Sequence, residues 1–89
     1  MEITFDPGKD KLNRRKHGIS LTRAEDFEWD TAVSWADQRF HYGDLRMCAV
    51  GLIGVRLYFL VYEENDDGLR VISLRKASTT EVRRYVRQT

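Results

Sequence analysis

The sequence is poor in the residues that tie small domains together. Its 89 residues include one cysteine, two histidines and one proline. A single cysteine excludes an internal disulfide, which fits a reducing compartment. The histidines and the cysteine lie far apart and lack zinc-site spacing, so we expect no metal and no cofactor. Cys48 lies in the apolar run 47–50, where we expect it to be buried as a small apolar residue.

Long apolar runs are also missing. A membrane-spanning helix needs roughly 20 apolar residues, and no stretch of this chain approaches that length. Glu2 and Asp6 interrupt the first apolar stretch, unlike a signal peptide. We therefore expect a soluble cytoplasmic protein without membrane contact. The content of 42% hydrophobic and 33% charged residues is typical of a globular protein, here one domain over residues 1–89.

The charges are segregated along the chain although the net charge is only +1. Residues 9–17 carry five cations and one acid, and residues 70–87 carry six cations and one acid. Residues 25–44 carry six acids and one cation. If the fold brings the two basic segments together, they form a binding surface for a polyanion such as nucleic acid. The alternative is a set of unrelated solvated faces.

The N-terminal half predicts a short strand at 2–5 followed by two helices. Asp6 and Pro7 suit the start of the first helix, and Gly18 suits its end. Ser20 is placed to cap the second helix, whose apolar stripe contains Leu21, Ala24 and Phe27. Val33 and Trp35 then alternate in a short strand.

The C-terminal half predicts an antiparallel meander followed by a helix. The strand-like runs are 46–53, 55–63 and 69–76, separated by turns. Ser78 and Glu81 have the spacing of a capping box at the start of the last helix. The expected fold is therefore a two-layer α+β domain. It contains two N-terminal helices, an antiparallel sheet of about four strands and a C-terminal helix.

Cationic side chains are the main candidates for a functional site in this sequence. Cleaving RNA without a metal uses the ribose 2′-OH and needs a proton acceptor, a proton donor and positive charge at the phosphate. Arg75 offers that charge in a fixed fork, and the alternation of a strand places it on the opposite face from Arg70. His17 is either an acid or base or a helix-end cap. Tyr85 either packs in the core or reaches the edge of a site. From the residues alone, we infer a small basic-faced domain suited to binding nucleic acid.

Several segments together resemble the BrnT family of toxins. They are Phe5-Asp6-Pro7, Lys9, Asn13, Lys16-His17-Gly18-Ile19-Ser20, Ala24, Phe27, Asp30, Arg46, Gly51, the run 70–77, Glu81, Arg84 and Tyr85. The resemblance implies a RelE-like fold and a ribonuclease activity that stops translation. It also implies neutralisation by a BrnA-like antitoxin with a ribbon-helix-helix region. Operator DNA would then be bound only through the antitoxin.

Three positions depart from the pattern of that family. The family often has Trp where this chain has Phe5, and commonly has Ala where this chain has Leu74. Two acids usually precede Arg46, whereas this chain has Asp44-Leu45. The loss of the second acid weakens the case for a catalytic carboxylate there, although Asp44 stays a candidate base.

The resulting hypothesis is a metal-independent endoribonuclease with two groups of site residues. The proposed catalytic group is Arg75, Arg46, His17, Lys16 and Asp44, and the proposed RNA-binding group is Lys9, Asn13, Arg70, Lys76 and Tyr85. We expect Arg75 and Arg46 to present their charges to the scissile phosphate, with Lys16 and His17 close by. The alternative is a basic module that binds nucleic acid or a partner without catalysis, including a degenerate toxin.

Overall fold

A computed structural model describes residues 2–39 and 45–89. Over these residues the chain forms five strands, two α-helices and two 3₁₀ turns. In chain order they are β1 (Glu2–Phe5), α1 (Pro7–His17), the turns Leu21–Asp26 and Trp29–Thr31, β2 (Val33–Ala36), β3 (Arg46–Ile53), β4 (Arg56–Asn65), β5 (Gly68–Lys76) and α2 (Thr79–Gln88). The α+β class is confirmed. None of the described helices has the length and apolar character needed to cross a membrane.

The described strands form one mixed sheet in the order β1-β5-β4-β3-β2. Strands β2 to β5 pair antiparallel, as the meander predicts. However, β1 pairs parallel with β5, from Glu2 opposite Gly68 to Phe5 opposite Val71. The prediction of about four antiparallel strands is therefore wrong at this edge. The alternation of Ile3 and Phe5 predicts a strand, but it carries no information about which neighbour the strand joins or in which direction.

The predicted second helix is a 3₁₀ turn. Leu21, Ala24 and Phe27 are buried at three-residue spacing, which matches the three residues per turn of a 3₁₀ helix. The backbone of Phe27 is extended, which ends the turn, and its N–H donates to the carbonyl of Ala24. The predicted cap is confirmed, because the hydroxyl of Ser20 accepts the N–H of Thr22 at 3.2 Å.

Apolar side chains pack on both faces of the sheet. Along β4, Leu60 and Tyr62 contribute to one core cluster, while Phe59 and Val61 contribute to another. The first face, here the turn face, is covered by the 3₁₀ turns, and the second, the α2 face, is covered by the helix α2. The arrangement therefore has three layers instead of the predicted two.

Helix α1 is anchored to the edge of β5 by polar contacts. Its one large apolar residue, Leu12, is 61% exposed, whereas Asp10 and Asn13 are buried. The Asn13 amide accepts the N–H of Leu74 at 3.1 Å and donates to the carbonyls of Leu74 at 2.8 Å and Ile19 at 2.9 Å. Beyond the end of β1, the side chain of Asn13 thus satisfies the backbone groups at the open edge of β5, as a neighbouring strand would.

The prediction for Cys48 is confirmed. Its side chain lies in the α2-face cluster with only 3% of the residue exposed. Burial raises the pKa of its thiol to about 11. A thiol with so high a pKa is a poor nucleophile at neutral pH, so its role is in packing.

Candidate functional site

An extra residue in β5 decides which side chains share the α2 face. Arg70 lies opposite Glu63 and Arg75 lies opposite Phe59, so five steps along β5 match four along β4. The register shifts between Val61 and Tyr62. A one-residue bulge reverses the alternation of side chains beyond it. Arg70 and Arg75 therefore lie on the same face, and the prediction that they point to opposite faces is wrong.

Arg75 is held in a single orientation on the α2 face. Its two terminal nitrogens donate to the carboxylate of Glu81 at 2.8 and 2.9 Å. The guanidinium carbon lies 4.3 Å from the ring centre of Phe59. The side chain is 34% exposed, so the cation is fixed yet reachable from solvent.

Glu81 links Arg75 to the beginning of α2. Its carboxylate also accepts the N–H of Ser78 at 2.8 Å, and the Ser78 hydroxyl caps the helix, which confirms the predicted capping box. Burial raises the pKa of Glu81, but the hydrogen bonds from Arg75 and Ser78 outweigh it and leave that pKa below the usual value. Glu81 is therefore ionised at neutral pH and pairs with Arg75 as a carboxylate.

Arg75 lines a depression on the α2 face that we call the arginine cleft. Its walls are Trp35, Ala36, Asp37, Gln38, Arg39, Cys48, Phe59, Arg75, Glu81 and Arg84. The Arg84 guanidinium lies 3.8 Å from the ring centre of Trp35. The buried carboxylate of Asp37 binds the guanidinium of Arg39 at 2.9 and 2.8 Å, and this hydrogen bonding lowers the pKa of Asp37. Three arginines thus face two carboxylates in this cleft.

A second depression, the helix cleft, lies between α1 and β5. It is lined by Lys9, Leu12, Asn13, Arg15, Lys16, His17, Ile72 and Ser73. His17 is exposed, and its pKa is lowered by partial burial and by the charges of Lys16 and Arg75. His17 is therefore mostly neutral at pH 7 and able to accept a proton. Because the charge of Arg75 contributes to the lowered pKa of His17, the arginine cleft and the helix cleft are electrostatically coupled.

Arg46 and Arg70 lie on the α2 face away from Arg75. Arg46 forms an ion pair with Glu63 at 3.3 Å, and Glu63 lies opposite Arg70 in the sheet. Glu63 is four residues along β4 from Phe59, a separation of about 13 Å at the usual rise of a strand. The strand positions of Arg46 and Arg75 are therefore not neighbours in the sheet. That both side chains face one phosphate stays a prediction.

The other predicted residues differ in their settings. The amide of Asn13 is occupied by Leu74 and Ile19, which gives it a structural role. Tyr85 is half-buried against the α2-face cluster. Lys76 is exposed, and its carbonyl accepts from Arg75 at 3.2 Å. Asp44 lies outside the described residues.

Sequence reasoning did not single out Trp35, Arg84 or the pair of Asp37 and Arg39 as site residues. The spacing of Glu81 and Arg84 places both on one side of α2, which was the available signal for Arg84. Trp35 lies on β2, three strands from β5, so only the sheet order brings it towards Arg75. Among residues 2–39 and 45–89, no three side chains of the metal-binding types His, Cys, Asp and Glu cluster together.

Comparison with known families identifies the chain. Residues 5–81 match the family described as the ribonuclease toxin BrnT of type II toxin–antitoxin systems. This match places the protein in the class of ribonuclease toxins of type II toxin–antitoxin systems. The chain belongs to the BrnT family. Comparison with curated proteins finds no significant match.

Proposed function

We propose that the protein is a metal-independent endoribonuclease that inhibits translation by cleaving RNA through its ribose 2′-OH. The observation that carries this proposal is the fixed guanidinium of Arg75, which is partly exposed in a cationic cleft and whose charge contributes to the lowered pKa of His17. Charge builds on the phosphate oxygens during this reaction. A cation already oriented toward that position stabilises the transition state without having to reorganise.

The remaining site residues have supporting roles in this proposal. Neutral His17 accepts a proton and, once protonated, donates one to the leaving oxygen, while Lys16 and Lys9, both exposed in the helix cleft, hold neighbouring phosphates. Arg46 is retained as a second cation for the scissile phosphate, while Arg70, Lys76 and Tyr85 would contact RNA farther from the scissile bond. Asp44 is retained as a candidate base from the resemblance alone.

We also propose that the neutralising partner is a BrnA-like antitoxin with a ribbon-helix-helix region, through which the complex binds operator DNA. Membership of a type II family supports a protein antitoxin. A segment that covers the cationic clefts with acidic side chains would block RNA by charge complementarity. The RelE-like relationship implied by the resemblance belongs to the same proposal.

Cleavage of single-stranded RNA by the purified protein in EDTA tests the proposed activity. We expect the wild type to cut and Arg75→Ala to lose about 10²–10³ in rate, as when one charge-stabilising donor is removed. Arg56→Ala is the matched control, because Arg56 is exposed beside the turn between β3 and β4. Full activity of a folded Arg75→Ala protein, or complete loss of wild-type activity in EDTA, would overturn the proposal.

A second candidate function is binding without cleavage, either as a nucleic-acid module or as a degenerate toxin. The pairing of Arg75 with Glu81 favours it, since the carboxylate offsets the charge offered to a phosphate. Its signature is RNA or antitoxin binding by the folded wild type, with no cleavage and no growth arrest on expression.

A further inference from the structure

We propose that Trp35 and Arg84 form a stacking site for one nucleobase, beside the phosphate position at Arg75. This inference rests on the proposed function, because it takes RNA as the ligand. It goes beyond the family match, which assigns no role to Trp35 or Arg84.

A row of two rings with a cation at each end connects the two positions. Arg75 lies 4.3 Å from the ring centre of Phe59, and the ring centres of Phe59 and Trp35 are 6.1 Å apart. Arg84 completes the row at 3.8 Å from the Trp35 ring. A nucleotide with its phosphate at Arg75 therefore has the Trp35 ring and the Arg84 guanidinium within the same cleft. Stacking on such surfaces is how proteins hold single-stranded RNA bases.

The three arginines of the arginine cleft have different partners, and this difference separates their roles. Arg75 is bound by Glu81 and Arg39 by Asp37, in each case through two hydrogen bonds. No carboxylate in the described part of the chain forms an ion pair with Arg84, whose contact is with the Trp35 ring. A planar guanidinium held by a ring can stack on a base with its other face.

The arginine cleft is also large enough for a base and its sugar. Its volume of about 430 Å³ falls within the range of small-molecule sites. Trp35 is half-buried and packs against the α2-face cluster, so the ring is held in place before a ligand arrives. An ordered ring and an excess of positive charge together favour a nucleotide over an uncharged aromatic ligand.

Fluorescence of Trp35 measures base stacking without any need for cleavage. The chain has two tryptophans, so Trp29→Phe leaves Trp35 as the only reporter. The probe is a 2′-O-methyl RNA hexamer, whose blocked 2′-oxygen cannot attack the phosphate. We expect saturable quenching of Trp35 by this oligomer. The position of the stacked base is then found by placing one abasic nucleotide at each site in turn. At that site, the abasic nucleotide should weaken binding about ten-fold, the size of one stacking contact.

Variants of Arg84 separate stacking from charge. Arg84→Ala and Arg84→Lys should bind the intact hexamer about ten-fold more weakly and lose the abasic penalty, because both lack the planar cation. Arg83→Ala is the matched control, since Arg83 is an exposed cation on the same helix outside the arginine cleft, and it should keep the penalty. Thermal unfolding identifies any variant that fails to fold.

The possible outcomes distinguish this inference from the proposed function. A full abasic penalty in Arg84→Ala, or RNA binding that leaves Trp35 fluorescence unchanged, overturns the stacking site even if cleavage is intact. Conversely, an abasic penalty that depends on Arg84 in a protein that cannot cleave supports the stacking site and overturns the ribonuclease proposal. Absence of any binding of the hexamer overturns the stacking site.

Discussion

Glu81 binds both terminal nitrogens of Arg75 with the same carboxylate that accepts the first free N–H at the start of α2, from Ser78. The orientation of the cation is therefore coupled to the position of a helix terminus. Because Arg75 has a second support in the ring of Phe59, the guanidinium plane is defined from two sides. Glu81 is in this sense a positioning residue.

Glu81→Gln should reduce kcat with little change in KM. Gln retains the ability to complete a capping box, so the start of α2 survives, but it cannot accept two hydrogen bonds from Arg75. We expect kcat to fall about ten-fold or more, by analogy with the loss of an aligned charge-stabilising donor. Steady-state cleavage of a short RNA measures both constants.

Ser78→Ala is the control for that variant. It removes the hydroxyl that caps the helix while leaving the carboxylate of Glu81 on Arg75. We expect a loss of about 1 kcal/mol in the free energy of unfolding. The kcat of the folded protein should stay unchanged. If Glu81→Gln keeps wild-type kcat, Glu81 acts only as a helix cap.

Lys16→Ala should weaken RNA binding and reduce its dependence on salt. Each phosphate contact with single-stranded nucleic acid adds about 0.7 to the slope of log K against log salt. Lys11→Ala is the matched control, because Lys11 is an exposed lysine of α1 outside the helix cleft. Titration of the 2′-O-methyl hexamer at several salt concentrations gives both slopes. Equal slopes for Lys16→Ala and the wild type would remove Lys16 from the phosphate contacts.

Asn13→Ala should destabilise the fold more than an asparagine change in an exposed turn. It leaves the buried N–H and carbonyl of Leu74 without their partner, which we expect to cost about 2–4 kcal/mol. Asn65→Ala is the control, because Asn65 also hydrogen-bonds the backbone, by accepting the N–H groups of Asp67 and Gly68, but is exposed, so water replaces it. Urea unfolding measures both variants. Equal losses would show that α1 does not depend on Asn13 for its attachment to β5.

Asp10 should make the protein sensitive to acid. Its carboxylate accepts the N–H of Leu21 at 2.7 Å and the hydroxyl of Ser20 at 2.9 Å. The hydrogen bond from Leu21 is the largest cause of its lowered pKa, which burial opposes and which Ser20 and Arg14 lower further. The folded-state pKa is below the ordinary value of 3.8, so this contribution to stability is present above that pH. The contribution is lost as pH falls through 3.8 toward the folded-state pKa.

Urea unfolding from about pH 6 to about pH 2.5 tests the role of Asp10. Asp10→Asn should be less stable at the upper pH and should lose less stability in acid than the wild type. Arg14→Ala should keep most of the acid dependence, because it leaves the hydrogen bond from Leu21 in place. An unchanged acid dependence in Asp10→Asn would contradict the prediction.

Local sequence signals predicted most of the elements, because their causes are local. Asp6 with Pro7, Gly18, and the capping box of Ser78 and Glu81 each act within one helical turn, and all are present in the structure. The parallel pairing of β1 with β5 has no such local cause, since it depends on which strand edge is open after the meander forms. The 3₁₀ turn at Leu21–Asp26 shows how a three-residue apolar spacing can be mistaken for the stripe of an α-helix.

The candidate site was less predictable than the fold. Basic residues near the end of α1 and on β5 were identified, and the structure places Arg75 close enough to affect the pKa of His17. The bulge in β5 could not be anticipated from alternation, and it reversed the relation between Arg70 and Arg75. The position of Trp35 depends on the order of strands that are distant in sequence. Such tertiary relations are absent from any local pattern.

The burial of Cys48 has a practical consequence for chemical labelling. With a thiol pKa of about 11, roughly one molecule in a thousand carries a thiolate at pH 8, and that thiolate is also shielded from reagents. A cysteine introduced at an exposed position, such as Val55 in the turn between β3 and β4, would then react alone with a maleimide dye. The native chain is thus ready for single-site fluorophores without first replacing its own cysteine.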